Sequence, residues 1–432
     1  MTAQLLPVSA LLASTLFMLA AVGLGGVFVP LRATMEGWQS TDIAWIGTSY
    51  ALFFTFGCIA TPYLVRRVGH IRVFAALQTL LAMSFLMMAL LAHPIAWALV
   101  RGLGGFALAG AYMVLESWLN EKVSNENRGA IFSAYMIISM VGVAGGQYMM
   151  PFGDARGTFF FIIIALLFGL ALLPTVLTSA QAPVPLTRVS LDLKGLFLKS
   201  PAAVVGAFLT GVINGVWLFF GPIYGQSAGL TTTGIATMLA MAMVGGAVAQ
   251  FPLGRASDRL DRRYVMVSAG TVGLAVSLAM LTIDPRSPYL IFSGMLLFGA
   301  VLFPIYALNV AHANDMAEPE EFVKVSSGLL IVYGIGTIVG PQLSGRLMDG
   351  IGPSGFWVAT AISFAAYAGY TLWRIYRRSA TDLEDRQDFR VLPVNTSQTP
   401  ETVHLDARIE EVPEDERQRD EEDVSLWGYE FN

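Results

Sequence analysis

The chain has 432 residues, of which 55% are hydrophobic and 13% are charged, and its formal net charge is −5. Soluble domains carry about 25% charged residues, so this composition excludes an ordinary soluble domain. The single cysteine, Cys58, excludes both an intramolecular disulfide and a two-cysteine metal site.

The hydrophobic residues fall into twelve blocks, each close to the ~20 residues that an α-helix needs to cross a bilayer. Backbone amides in hydrocarbon must be hydrogen-bonded within their own segment, so we predict a transmembrane helix for each block. No Lys or Arg precedes the first block, which indicates a membrane helix rather than a cleaved signal peptide. The predicted spans are 9–31, 43–64, 71–92, 95–118, 130–152, 157–178, 201–224, 232–253, 264–283, 288–312, 325–347 and 354–377.

The loops between these blocks differ in charge. With the N-terminus inside, the cytoplasmic loops hold sixteen Lys or Arg and the opposite loops hold three. Positively charged loops stay in the cytoplasm, so we expect an integral membrane protein with both termini cytoplasmic.

The chain beyond the last block has a different composition. From Ser379 onward it contains five Arg and sixteen Asp or Glu, which predicts a disordered acidic cytoplasmic tail. This tail is either a solvated extension or a segment whose acids lie against the basic loops and bias a gate.

The two halves of the chain repeat each other at a nearly constant spacing. An offset of 192 to 194 residues spans an even number of crossings, so both copies have the same orientation. The matching pairs are Gly23 with Gly215, Pro30 with Pro222, Tyr112 with Tyr306, Gly142 with Gly336, and Gly146 with Gly340. We therefore predict an all-α polytopic membrane protein of twelve helices in two parallel six-helix repeats.

This repeat divides the chain into four regions. We predict an N-terminal bundle over 1–179, a cytoplasmic linker over 180–200, a C-terminal bundle over 201–378 and the acidic tail over 379–432. Apolar and basic residues near the end of the linker are compatible with a short interfacial helix or with plain loop.

The stretch "GRASDRLDRRYV" is strongly charged although apolar runs lie on both sides of it. It resembles the signature loop of the major facilitator superfamily, G-x-x-x-D-R-x-G-R-R, with Asp261 where glycine is usual. A weaker copy, "PYLVRRVGHIRVF", lies between predicted helices 2 and 3. The matching positions are Gly254, Asp258, Arg259, Arg262 and Arg263 in the strong copy, and Arg67, Gly69 and Arg72 in the weak one.

Further motifs extend the resemblance to residues 9–378. "RGLGGFALAG", with Arg101 and Gly105, is similar to the family's R-x-x-x-G pattern, and Glu116, Arg128 and Gly129 look like its E…RG element. "RRVGHIR" and "ESWLN" resemble the bacterial YcaD-like branch, which implies a protein of a bacterial inner membrane. The resemblance implies that Asp258 and its arginines latch the two halves in the outward-facing state. In the weak copy Arg66 replaces the acid, so a latch there needs another acid such as Glu116 or Glu121.

Polar side chains inside the spans are costly and mark functional sites by default. In this family helices 1, 4, 7 and 10 line a central cavity, which implies a substrate site there. A lone Gln or Asn can equally join helices, and Tyr or Trp near a span end can lie at the membrane interface. The candidates are Asn214, Trp217, Tyr112, Asn309, Tyr306, Arg101, Gln147 and Gln342.

The resemblance implies a secondary transporter that moves a small organic solute by alternating access. We expect the solute to be neutral or to carry one negative charge, which Arg101 would bind. The resemblance also implies proton coupling. No predicted span holds a midplane Asp or Glu, so the proton carrier would be Glu116 or His312. An uncoupled facilitator or exchanger and a transporter-like sensor are the alternatives.

The sequence suggests no catalytic site. It holds no phosphate-binding loop, metal cluster or nucleophile–base pair. We expect no enzyme activity, no cofactor and no nucleic-acid partner, and we expect the protein to be a monomer whose surroundings are membrane lipid.

Overall fold

The computed structural model of the protein describes residues 8–121, 128–177, 192–283, 287–318 and 321–377, together with Phe389 and Thr399. The expectations for most of the linker, and for the acidic tail apart from these two residues, lie outside the described residues. Every regular element in the described ranges is a helix.

Twelve long helices are described, and they are numbered in chain order. The last two, separated by a 3₁₀ turn at Gly352–Ser354, form one 54-residue apolar segment, so the eleven candidate membrane spans in the described ranges provide twelve crossings. The predicted fold class is therefore confirmed. The helices are α1 (Ser9–Met35), α2 (Ser40–Val68), α3 (His70–Leu90), α4 (Pro94–Glu121), α5 (Arg128–Gln147), α6 (Phe159–Leu177), α7 (Pro201–Ser227), α8 (Thr232–Arg259), α9 (Arg262–Met280), α10 (Pro288–Asn314), α11 (Phe322–Ile351) and α12 (Gly355–Arg377).

The part of the linker that is described contains a short helix, Leu193–Lys199. The Asp192 side chain accepts a hydrogen bond from the Gly195 backbone N–H at 2.8 Å, which satisfies a free donor of the first turn. Lys199, at the end of this helix, pairs with Glu321 at 2.6 Å. Of the two possibilities for this segment, the structure adopts the helix.

The two signature loops turn the chain by different means. Gly69 alone separates α2 from α3, and its φ of +85° is a conformation that side chains with a Cβ rarely adopt. Between α8 and α9 the chain uses Leu260 and Asp261, and the Asp261 carboxylate accepts the Arg263 backbone N–H at 3.0 Å. Asp261 therefore takes the usual glycine position because it caps the next helix.

The helices of the two halves pack in the same pattern. In the first half α1 packs on α5, α2 on α4 and α3 on α6, and in the second half α7 packs on α11, α8 on α10 and α9 on α12. Adding six to the helix numbers of each first-half pair gives the corresponding pair in the second half. This agreement supports the parallel repeat that the glycine spacing predicted.

The repeated glycines mark the places where helix backbones touch. A Cβ added to Gly146 on α5 would lie 2.0 Å from the Ala20 carbonyl oxygen on α1. A Cβ added to Gly340 on α11 would lie 2.3 Å from the Val212 carbonyl oxygen on α7. Small residues permit such close helix approach in membranes, so the equivalent glycines build equivalent seams. We call these contacts of α1 with α5 and of α7 with α11 the glycine seams.

The bundle has two chemically different ends. We call the end where α2 and α8 finish and α3 and α9 begin the basic end, because it carries the signature loops. At the opposite end α1 and α7 finish and α2 and α8 begin. α11 packs on α2 and α7 packs on α1 across the two halves.

Candidate functional site

A cavity of about 400 Å³ lies between the two halves. This volume falls in the range of sites for small organic ligands, about 300–1,000 Å³. Its lining comes from α1, α2, α4 and α5 of the first half and from α7, α8, α10 and α11 of the second. Its wall runs from Ala33 and Ile43 near the opposite end, where both are buried, to Tyr63 near the basic end, which is exposed.

Arg101 brings a positive charge into this cavity. Its guanidinium carbon lies 4.5 Å from the centre of the Tyr50 ring and 5.3 Å from that of Phe85. One turn further along α4, a Cβ on Gly105 would lie 2.3 Å from the Tyr50 carbonyl oxygen. This close approach of α2 and α4 places the Tyr50 ring against the guanidinium, in the stacked arrangement that arginine favours.

The contacts of Arg101 are with aromatic rings. In the part of the chain that the structure describes, Arg101 makes no salt bridge and no hydrogen bond. An arginine within a membrane span ordinarily pairs with an acid or a carbonyl group. The guanidinium therefore retains its hydrogen-bonding capacity for a molecule that enters the cavity.

Four further candidates line the cavity: Asn214 and Trp217 on α7, Tyr306 on α10 and Gln147 at the end of α5. The Gln147 Oε1 atom is buried and has no hydrogen-bond partner among the described residues. The Tyr306 ring lies 4.8 Å from that of Tyr333, centre to centre. The wall is thus largely aromatic and aliphatic, with a few separate polar groups.

Three candidates lie outside the cavity lining. Asn309 is fully buried within the second half, where its Nδ2 donates to Thr210 Oγ1 at 3.1 Å and its Oδ1 accepts from Tyr367 Oη at 3.0 Å. The position of Asn309 on α10 turns its side chain toward α7 and α12. Tyr112 is 1% exposed and packs near Phe54.

The third, Gln342, joins the two halves instead of lining the cavity. Its Nε2 donates to Thr48 Oγ1 at 3.1 Å, and Thr48 in turn donates to the Ile338 carbonyl oxygen at 3.1 Å. These bonds connect α11 of the second half to α2 of the first.

Glu116 is a fully buried carboxylate near the basic end of α4. Its Oε1 accepts a hydrogen bond from Tyr135 Oη at 2.7 Å. Its Oε2 accepts one from Thr399 Oγ1 of the tail. Buried carboxylates need such donors, and Tyr135 and Thr399 were not among the candidates from the sequence.

The strong signature loop forms a charged network within the second half. Arg262 is 1% exposed, and its Nε lies 2.7 Å from Asp315 Oδ2, which is also buried. Its Nη1 donates to Ser257 Oγ at 2.6 Å and to Asp258 Oδ1 at 3.3 Å. In this conformation Asp258 therefore pairs within its own half.

Arg263 and Asp261 form the next pair, with Nη2 and Oδ2 2.7 Å apart. Partial burial favours protonation of Asp261. The hydrogen bonds from Arg263 outweigh that effect and hold the pKa of this carboxyl below its ordinary value. His312, which is 4% exposed, interacts electrostatically with the same carboxylate.

The remaining signature residues lie at the surface or against the tail. Arg67, Arg72 and Arg259 are exposed, and the side chain of Arg128 lies outside the described residues. A Cβ added to Gly254 would lie 2.4 Å from the ring of Phe389. The first signature glycine therefore provides space for a tail residue.

Asp349 joins the two halves at the opposite end of the bundle, although the sequence did not single it out. Its Oδ1 accepts the Ser40 backbone N–H at 2.8 Å and its Oδ2 accepts that of Thr41 at 3.0 Å. A Cβ on Gly345, one turn earlier, would lie 2.7 Å from Ala44 Cβ on α2. The only sequence signal was an acid at the end of an apolar span, and its partner is 309 positions away.

In the described ranges no group of three or more His, Cys, Asp or Glu has the arrangement of a metal site. The polar groups that face the cavity are instead a guanidinium, amides and hydroxyls. This set can bind an organic molecule through hydrogen bonds and one ionic contact.

Two curated relatives cover most of the chain. The uncharacterized MFS-type transporter YcaD of Escherichia fergusonii is 25% identical over 345 residues, which are 79% of this chain and 89% of the relative. YcaD of Salmonella heidelberg is 25% identical over 350 residues, with coverage of 79% and 89%.

Two solved structures show the same fold. A mutant of the nucleoside transporter NupG matches with a TM-score of 0.75 and 15% identity, over 85% of this chain and 99% of that one. A bacterial homologue of the human lysosomal transporter Spinster, in its inward-facing and unoccupied conformation, matches with a TM-score of 0.68 and 14% identity, over 88% and 98%.

The family model described as Major Facilitator Superfamily matches residues 10–246 and 228–403. Both halves and both signature loops lie within these two matches. The chain is an integral membrane protein that belongs to the major facilitator superfamily of transporters.

Proposed function

We propose that the protein is a secondary transporter of a bacterial inner membrane that moves a small organic solute by alternating access. The observation that carries this proposal is the cavity of about 400 Å³ between two packed halves. Asp349 joins the halves at one end, and the exposed cavity residue Tyr63 lies near the other. With the basic end in the cytoplasm, both termini are cytoplasmic and this conformation is inward-facing.

The proposed solute is neutral or carries one negative charge. Arg101 supplies the single positive charge among the lining residues, and Gln147 and Asn214 supply hydrogen-bonding groups. The aromatic rings around Arg101 exclude water and strengthen an ionic contact there. A carboxylate would form two parallel hydrogen bonds with the planar guanidinium, while the rest of the solute packs on Trp217 and Tyr306.

The proposed coupling ion is the proton, and Glu116 is the group that would carry it. This carboxyl is fully buried near the basic end of α4 and is hydrogen-bonded to Tyr135. Protonation removes a charge whose burial is unfavourable, so it can change the balance between the two conformations. His312 is the second candidate, but its interaction with Asp261 connects it to the signature loop.

The test begins with a thermal-shift screen of purified protein against small organic acids and their uncharged amides. Each stabilising compound is then assayed for uptake into proteoliposomes, with and without an imposed pH gradient. We expect accumulation that follows the gradient. Glu116→Gln should retain exchange of the solute but lose gradient-driven accumulation.

Two other results would contradict different parts of this proposal. Uptake that occurs but ignores the pH gradient in both proteins would identify an uncoupled facilitator or exchanger. Compounds that bind but never cross the bilayer would contradict transport and favour a sensor.

A further inference from the structure

Two residues of the C-terminal tail are buried in the body of the protein at its basic end. Phe389 is 4% exposed and Thr399 is fully buried. The tail as a whole is acidic, yet neither of these side chains is charged. Burial of an uncharged ring and a hydroxyl indicates specific packing and hydrogen bonding. Electrostatic attraction between tail acids and the arginines of the basic end would not require these two side chains to be buried.

Phe389 contacts the second half. Its ring fills the space beside Gly254 on α8, where a Cβ would lie 2.4 Å from the ring carbon Cδ1. Its backbone N–H donates to Asp258 Oδ1 at 2.8 Å. Gly254 and Asp258 of the signature loop therefore both contact Phe389. Gly254 leaves space for the ring, and Asp258 accepts the backbone hydrogen bond.

Thr399 contacts the first half. Its hydroxyl donates to Glu116 Oε2, while Tyr135 donates to Oε1 at 2.7 Å. The three groups form a buried network in which both carboxylate oxygens have a donor. The tail supplies the donor to Oε2.

Ten positions separate Phe389 from Thr399, and ten residues of extended chain reach at most about 33–36 Å. The tail therefore contacts both halves within a short stretch of sequence, α8 through Phe389 and α4 through Thr399. We propose that Phe389 and Thr399 together act as an intramolecular ligand of the basic end, bound in the conformation described here. We call the two contacts the tail clasp.

The clasp stabilises one conformation over another. The opposite end is closed by Asp349 and by the packing of Gly345 on Ala44, so the occupied basic end belongs to the inward-facing state. A ligand that binds one of two states shifts the population toward that state. If transport proceeds by alternating access, as proposed above, the clasp must release before the basic end can close.

The test measures how often the opposite end opens, and it needs no substrate. Ala44 is fully buried in the closed interface, so Ala44→Cys in a Cys58→Ser background reacts with a hydrophilic maleimide only after opening. We expect truncation after Arg377 to increase the labelling rate of purified protein about tenfold. Phe389→Ala and Thr399→Ala, in the full-length chain, should each increase it in the same direction.

Two matched controls separate the two fitted contacts from the negative charge of the tail. Thr399→Ser keeps the hydroxyl and should label at the original rate. A tail with five of its sixteen acids neutralised should also label at the original rate, because neither Phe389 nor Thr399 is an acid; its substitutions are Glu410→Gln, Glu411→Gln, Glu414→Gln, Asp415→Asn and Glu416→Gln.

An unchanged or slower labelling rate in the truncated protein would overturn the proposal. So would a neutralised tail that labels as fast as the truncated protein, since charge would then account for the effect. The labelling rate reports conformation alone, so either result leaves the proposed transport function to its own uptake assay.

Discussion

The carboxylate of Asp349, near the end of α11, lies 2.8 Å from the backbone nitrogen of Ser40, which begins α2 in the other half. The first N–H groups of a helix have no partner inside the helix, and they attract negative charge. The second carboxylate oxygen takes the next N–H, that of Thr41, at 3.0 Å. One side chain thus satisfies two donors across the boundary between the halves.

Asp349→Ala should weaken this closure. Loss of a carboxylate at a helix N-terminus costs about 0.5–2 kcal/mol, so we expect the Ala44→Cys labelling rate to increase several-fold. Asp349→Asn keeps an acceptor and should give a smaller increase. Equal labelling in all three proteins would show that packing alone holds the opposite end closed.

Arg101→Gln should weaken binding of anionic solutes. A charge-assisted hydrogen bond contributes about 1.5–3 kcal/mol, so the Kd of an acid found in the thermal-shift screen should increase at least tenfold. Arg101→Lys keeps the charge but not the planar contact with Tyr50, and it should recover part of the affinity. The Kd of an uncharged amide serves as the control. An equal loss for the acid and its amide would contradict the ionic role.

Gly146→Ala should destabilise the protein, and the neighbouring residue provides the control. The added Cβ would lie 2.0 Å from the Ala20 carbonyl oxygen, whereas a Cβ on Gly145 meets nothing within 4 Å. Overpacking costs about 1–3 kcal/mol, while alanine in a helix is more favourable than glycine by about 0.5–1 kcal/mol. We therefore expect a lower Tm for Gly146→Ala and an unchanged or higher Tm for Gly145→Ala. The opposite order would rule out backbone contact as the reason for the glycine.

Asp315→Asn should reduce stability more than Asp258→Asn. Asp315 is the buried partner of Arg262, which is 1% exposed, whereas the Asp258 side chain is 35% exposed. Removing one member of a buried pair typically costs about 3–5 kcal/mol. The yield and Tm of monodisperse protein should fall for Asp315→Asn. For Asp258→Asn, the expected main effect is on solute turnover; a Tm loss as large as that of Asp315→Asn would indicate a purely structural role.

The fold was predictable because its main constraint is local. Each apolar block must satisfy its own backbone in the membrane, and the glycine seams left equal spacings in both halves. A Cβ on Gly23 would lie 2.1 Å from the Val143 carbonyl oxygen, and one on Gly215 would lie 2.6 Å from that of Thr337. The two glycines that the sequence offset pairs therefore make equivalent contacts, Gly23 with α5 and Gly215 with α11.

The candidate site was predictable only in part. The resemblance placed residues on the helices that surround the cavity, but it did not fix which face of a helix each residue occupies. Arg101 faces the cavity, whereas Asn309 faces α7 and α12. Asp349 escaped notice because its partner is a backbone group far away in the sequence. Phe389 and Thr399 escaped notice because the acidic composition around them predicted disorder.

The burial of Phe389 and Thr399 also bears on how the protein is prepared for experiment. Trimming an acidic terminus is a common step before crystallisation, and affinity tags are commonly placed there. A chain cut after Arg377 would lose a phenyl ring that is 4% exposed and a hydroxyl that is completely enclosed. A protein shortened in this way would lack two contacts of the full-length chain. Its conformation in the absence of substrate should be compared with that of the full-length protein.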